Sequence, residues 1–213
     1  MTKALLFDFD GTLADTLPFY IQAYDSALRT IGFTFPEKEI VKLCFGKKED
    51  VVCKALNVPE KTELFRTTYF DGVKTKFKDA PLFDGVLELF TILKEKDIKI
   101  GIITFAYRWY IDQMVAQYGL SQYVDMVIST DDVKNPKPDP EAVLSFCTRF
   151  DLSPADCIVI GDSKSDILMG NAAGSRSVLF HPSTYELFYN KNELLQANPK
   201  NVIQTIPELQ AYL

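Results

Sequence analysis

Long apolar runs, basic charge and paired cysteines are all scarce in this sequence, and each shortage excludes something. No uncharged apolar stretch approaches the ~20 residues that a membrane-spanning helix needs. The apolar run at the N-terminus reaches Asp8 too soon to form a signal-peptide core. Lysine and arginine number 23 against 29 aspartates and glutamates, giving a net charge of −6. That balance argues against a broad nucleic-acid-binding face, although a local basic pocket stays open. The four cysteines, Cys44, Cys53, Cys147 and Cys157, form no CxxC pair and have no histidine beside them. Disulfide and zinc roles are therefore disfavoured, and Cys147 and Cys157, set among apolar residues, read as small hydrophobes. The expectation is a cytoplasmic protein with no membrane and no nucleic-acid partner. The oligomeric state is not legible.

What is present alternates. From about residue 82 onward, helical stripes and apolar runs follow one another. Val86, Leu89, Phe90 and Leu93 precede "IKIGIITF". Ile111, Met114, Val115 and Tyr118 precede "MVIS". Val143, Phe146, Cys147 and Phe150 precede "CIVIGD", and a helix near Asp166 precedes "SVLF". Strands buried on both faces between helices predict a doubly wound, parallel-sheet (Rossmann-like) α/β core. Residues 16–81 differ, with helical spacing at Ile21, Tyr24, Leu28 and Ile31, a stop at Gly32, a second helix opened by Pro36, and two more around 51–56 and 64–70. An all-helical domain, 16–81, is thus expected as an insert in a core made of 1–15 and 82–213.

The stretch "LLFDFDGTLADT" (5–16) ends a buried strand in two carboxylates, Asp8 and Asp10, which repel each other and resist desolvation. Thr104 closes the next strand, Lys137 lies in "NPKPDP", and Asp162 and Asp166 come from "VIGDSKSD". All follow strands, and ligands of open α/β sheets bind beyond the carboxyl ends of the strands. Four acids with one lysine call for a divalent cation, and oxygen ligands favour Mg²⁺. Such an ion commonly shares a phosphate, which Lys137, Thr104 and the loop amides of "DGT" are placed to hold.

"DFDGTLADT", the Thr104 strand end, "KPDP" and "GDSKSD" followed by "AAG" together resemble the four motifs of the haloacid dehalogenase-like hydrolase superfamily. The helical insert is similar to the cap of its phosphoglycolate phosphatase-like branch. The resemblance implies a phosphatase acting on a small phosphorylated metabolite. Asp8 would be the nucleophile that becomes an aspartyl-phosphate, and Asp10 the acid and base. Mg²⁺ would be held by the Asp8 carboxylate, the Asp10 main-chain carbonyl and Asp162, with Asp166 acting directly or through water. Thr104, Lys137 and the amide of Phe105 would bind the phosphoryl group. Phe105 departs from the small polar residue common in relatives, which bears on specificity. In the cap, "FGKKED" places Gly46 and Lys47 where substrate is met.

Each residue also has a plainer reading. Asp166 caps a helix N-terminus, Lys47 and Lys48 belong to a solvated charge run, and Tyr107, Arg108 and Trp109 are rim or core. His181, the sole histidine, is a loop residue without a catalytic part. Two rival functions stand beside the phosphatase. One is a phosphomutase of the β-phosphoglucomutase type. The other is a phosphoacceptor module resembling a response-regulator receiver, which would lack the helical insert.

Overall fold

A computed structural model describes residues 2–45 and 47–213. The chain divides into two compact units, one of residues up to 14, 82–185 and 189–213, the other of 15–81 and 186–188. In the first, β1 (Ala4–Phe7), β2 (Lys99–Ile103), β3 (Met126–Ile128), β4 (Cys157–Gly161), β5 (Arg176–Phe180) and β6 (Asn201–Ile203) form one sheet in the order β3-β2-β1-β4-β5-β6. Every neighbouring pair is parallel. All residues of β1 and β4 are buried, which is why both read as unbroken apolar runs with no polar alternation.

The chain builds β2 and β3 on one side of β1, then returns to place β4 on the other. Phe7 stands level with Ile102 and with Ile160. Asp8 and Asp162 therefore follow the ends of adjacent strands at the point where strand order reverses, the position at which such sheets take ligands.

The second unit contains α1 (Leu17–Thr30), α2 (Glu37–Cys44), α3 (Glu49–Ala55) and α4 (Thr62–Lys76). The stripe Ile21, Tyr24, Leu28 and Ile31 is buried, together with Phe65 and Tyr69. Tyr24 stacks on Tyr69 with ring centroids 4.4 Å apart. Phe188, from beyond β5, joins the same cluster, with its ring 5.5 Å from Phe45.

Around the sheet run α5 (Val86–Glu95), α6 (Arg108–Gln117), α7 (Glu141–Phe150), α8 (Lys164–Ala173) and the short α9 (Lys191–Leu195). Leu6, Val159, Phe146, Cys147 and Met169 close one core cluster. The strand at 201–203 and α9 have no counterpart in the apolar periodicity of the sequence. Asn-Val-Ile is too short to carry a period and is ordered by pairing with β5.

Candidate active site

The site begins where β1 stops. The Asp8 amide donates to the Ile160 carbonyl at 2.8 Å, so the ladder runs one residue past the strand and fixes Asp8 beside the end of β4. The next residues turn tightly, with Leu13 and Ala14 amides donating to the Phe9 carbonyl at 2.9 and 3.0 Å. Gly11 has φ +78°, and a Cβ there would lie 2.6 Å from Asp162 Oδ2. Only glycine lets this loop approach the second carboxylate so closely. The Tyr185 hydroxyl anchors the loop from below, donating to the Gly11 carbonyl at 2.8 Å. Thr12 Oγ1 donates to Asp162 Oδ1 at 3.3 Å.

Of the loop amides of "DGT", expected to hold phosphate, those of Gly11 and Thr12 are engaged within the turn, Gly11 donating to Ala14 at 2.8 Å and Thr12 to Phe9 at 3.2 Å. They are not phosphate donors in this arrangement, because closing the turn uses them.

Lys137 answers the two carboxylates Asp8 and Asp166. Its buried Nζ lies 2.9 Å from Asp8 Oδ1 and donates to Asp166 Oδ1 at 2.6 Å. Asp166 is the third residue of α8, and its Oδ2 accepts from the Ser163 amide at 3.1 Å and the Ser163 hydroxyl at 2.6 Å. This is a capping box. The two readings of Asp166 are thus compatible: it caps α8 and faces the lysine. A Cβ on Gly161 would stand 2.2 Å from Asp166 Cγ, so β4 must end in glycine for this acid to sit there.

Charge burial dominates the electrostatics. Desolvation pushes the Asp8 carboxyl up to about 7; Lys137 opposes the shift, while Asp166 and Asp10 add to it. Asp162 is pushed well above the usual carboxylate range, first by burial and then by Asp8 and Asp166; the nearby Tyr189 phenol works the other way. Burial lowers the Lys137 ammonium, but Asp166 and Asp8 outweigh it and hold the group above the ordinary lysine range.

Asp8, Asp162 and Asp166 each offer an oxygen within 4.8 Å of the others, and Asp162 Oδ2 is buried without a hydrogen-bond partner. Three acids beside one lysine, with an orphaned buried oxygen among them, fit a hard divalent cation such as Mg²⁺. Both Asp166 oxygens are already engaged, so Asp8 and Asp162 fit best as its direct carboxylate ligands. The Asp10 carboxylate is not among the three; its Oδ1 accepts from the Tyr110 hydroxyl at 2.8 Å.

Thr104 is buried at the end of β2, its amide donating to the Ile128 carbonyl at 3.0 Å. Its Oγ1 accepts from the Ala106 amide at 3.0 Å, which leaves the hydroxyl proton to donate. Phe105 is half exposed, with Lys137 Nζ 5.7 Å from its ring centroid. Arg108 is committed to Asp112, Asp132 and the Val127 carbonyl, while Tyr107 and Trp109 are exposed. His181 is buried after β5. Lys47 belongs to the helical unit, is exposed, and donates from Nζ to the Lys42 carbonyl at 2.8 Å. Gly46, expected to meet substrate, lies outside the described residues.

Four contributors escaped the sequence reading. Ser163 carries a signal, since Ser-x-x-Asp before a helix is a capping pattern. Tyr110 shares the face of Met114 and Tyr118 at a spacing of four. Tyr185 and Tyr189 reach the β1 loop and Asp162 from far along the chain and leave no local trace.

Residues 5–180 match the model of a family described as haloacid dehalogenase-like hydrolase. The chain is 30% identical to a phosphoglycolate phosphatase from Photorhabdus laumondii, over 97% of this chain and 90% of that one. It is also 30% identical to a phosphorylated carbohydrates phosphatase from Thermotoga maritima, over 81% and 82%. Among solved structures, one from Thermotoga maritima, provisionally described as a β-phosphoglucomutase, superposes with a TM-score of 0.83 at 25% identity over 100% of both chains.

Proposed function

The chain belongs to the haloacid dehalogenase-like hydrolase family and is one of its phosphatases; we propose that it hydrolyses a small phosphomonoester through an aspartyl-phosphate on Asp8, with Mg²⁺ as cofactor. The observation that carries this reading is the cluster of buried Asp162, Asp166 and Lys137 with half-buried Asp8 at the strand-order reversal, Lys137 Nζ being 2.9 Å from Asp8.

Asp8 attacks phosphorus as the ester oxygen departs, and Asp10 gives that oxygen its proton. Water then attacks the phosphorylated Asp8 while Asp10 takes a proton from it; the bond between phosphorus and Asp8 oxygen breaks and phosphate leaves. Lys137, the Thr104 hydroxyl and the Phe105 amide hold phosphoryl oxygens, and positioning with charge neutralisation does most of the work. Asp8, the Asp10 carbonyl and Asp162 would hold Mg²⁺, which would supply positive charge to the phosphoryl group. Asp166 orients Lys137 and lies outside the direct ligand set. We read the helical unit as the cap that its family resemblance implies.

Phosphate release from 2-phosphoglycolate, sugar phosphates, nucleotides and pyrophosphate, with and without Mg²⁺, tests the reading beside Asp8→Asn. Mg²⁺-dependent release, lost in the variant, is expected. Labelling of Asp8 by a small phosphodonor without release of phosphate would replace hydrolysis by mutase or phosphoacceptor chemistry.

A further inference from the structure

We propose that Tyr110 is the positioning residue for Asp10, holding one oxygen of its carboxylate so that the other carries the proton to and from the reacting group. The inference rests on the reading of Asp10 as acid and base given above.

The Tyr110 hydroxyl donates to Asp10 Oδ1 at 2.8 Å. The tyrosine is buried, and its place is set from two sides. Its ring meets Phe9 edge-on with centroids 6.4 Å apart, and Trp109 edge-on at 5.9 Å. Phe9, fully buried, stands between the two acids in sequence. Tyr110 is the third residue of α6, the helix that follows β2 and Thr104. One strand end therefore sets both the phosphate-binding hydroxyl and the group that orients the acid.

The reason for such a restraint is torsional. A carboxylate rotates in a broad, two-fold well about its last bond, and proton transfer requires hydrogen-bond reach and direction. With Oδ1 held by Tyr110, Oδ2 is the oxygen that gives its proton to the departing ester oxygen in the first step. In the second it takes a proton from the attacking water.

The test compares kcat/KM for 2-phosphoglycolate, whose alkoxide needs a proton to leave, with that for p-nitrophenyl phosphate, whose phenolate does not. In Tyr110→Phe the first should fall about tenfold and the second less than about twofold, a fraction of the whole acid's worth. Pre-steady-state nitrophenol release should show a larger burst, because water activation is slowed as well. Equal losses on both substrates, or no loss on either, overturn the inference. Tyr110→Met is read the same way if the Phe variant is too unstable to assay. Collapse of both variants, seen by circular dichroism, assigns the residue to packing and overturns it too. The failures separate: a wild-type protein that turns over neither ester, or whose turnover survives Asp8→Asn, removes the functional reading. A functioning, Asp8-dependent enzyme with an unchanged substrate ratio removes only Tyr110's part.

Discussion

At the carboxyl ends of the strands Lys137 Nζ stands 2.6 Å from Asp166, with the side chains 3% and 1% exposed; at the amino ends Lys3 Nζ stands 2.9 Å from Asp156, with the side chains 56% and 26% exposed. The residue types and distances nearly coincide, so the difference lies in the surroundings. The Lys3 pair remains largely in water, where attraction is screened and ordering two side chains offsets most of it. Lys137 has been taken out of water, and a lone buried ammonium would be intolerable there. It persists because Asp8 and Asp166 both face it, and those carboxylates persist in turn because of it. Folding alone does not call for such an arrangement, whereas the proposed phosphoryl transfer would use it. Burial thus separates a solubilising ion pair from the pair assigned to the proposed site.

The sharpest way to break this comparison is to remove both lysines in turn. Lys137→Met leaves buried Asp166 and half-buried Asp8 without their cation and should cost about 3 kcal/mol, at the lower end for a broken buried pair because the acids can protonate in response. Urea unfolding of the metal-free protein measures it. Turnover should fall by at least about 100-fold, as for other losses of a charge-stabilising donor. A cost below about 1 kcal/mol would place the two pairs in the same class.

The same contrast explains what the sequence discloses. Asp8, Thr104, Lys137, Asp162 and Asp166 were legible because each follows an apolar run, and the sheet rule puts all such ends in one crevice. β1, β2 and β4 were legible because burial on both faces leaves an almost unbroken apolar run, whereas β6 was not. Sheet order was not, since nothing local to β4 says that it pairs with β1 on the side opposite β2. Tyr110 and Tyr185 lie 100 and 174 residues from the partners they hold, and such pairings arise only from the completed fold. The turn amides of Gly11 and Thr12 were misassigned because loop composition reveals flexibility and not which carbonyl an amide meets.

A smaller effect sharpens the comparison through pH. Asp8 is pushed up to about 7 and Asp162 well above its ordinary value, against about 3.9 for an unfolded aspartate. The folded, metal-free protein then holds more protons than the unfolded chain between those limits, so its stability falls as pH rises from about 4 through 7. A carboxyl moved from about 3.9 to about 7 corresponds to a loss of about 4 kcal/mol. Mg²⁺ needs the ionised acids, and its stabilisation should therefore grow from pH 5 to pH 8. Thermal melts with Mg²⁺ or a chelator across that range measure both trends, and a Mg²⁺ increment that shrinks with pH would contradict the burial account.

Lys3→Met should be the least consequential change. The exposed ammonium leaves a carboxylate that water reaches, so the urea midpoint of the variant should match that of the parent. Any residual difference should vanish in 1 M salt, where the screening length falls to about 3 Å. Salt distinguishes the two ends more cleanly than the size of the loss, because buried charge pairs are screened far less than exposed ones. The Lys137→Met deficit should persist in 1 M salt. If salt erased both deficits alike, solvent would have to reach the two pairs equally, and burial could no longer account for what separates them.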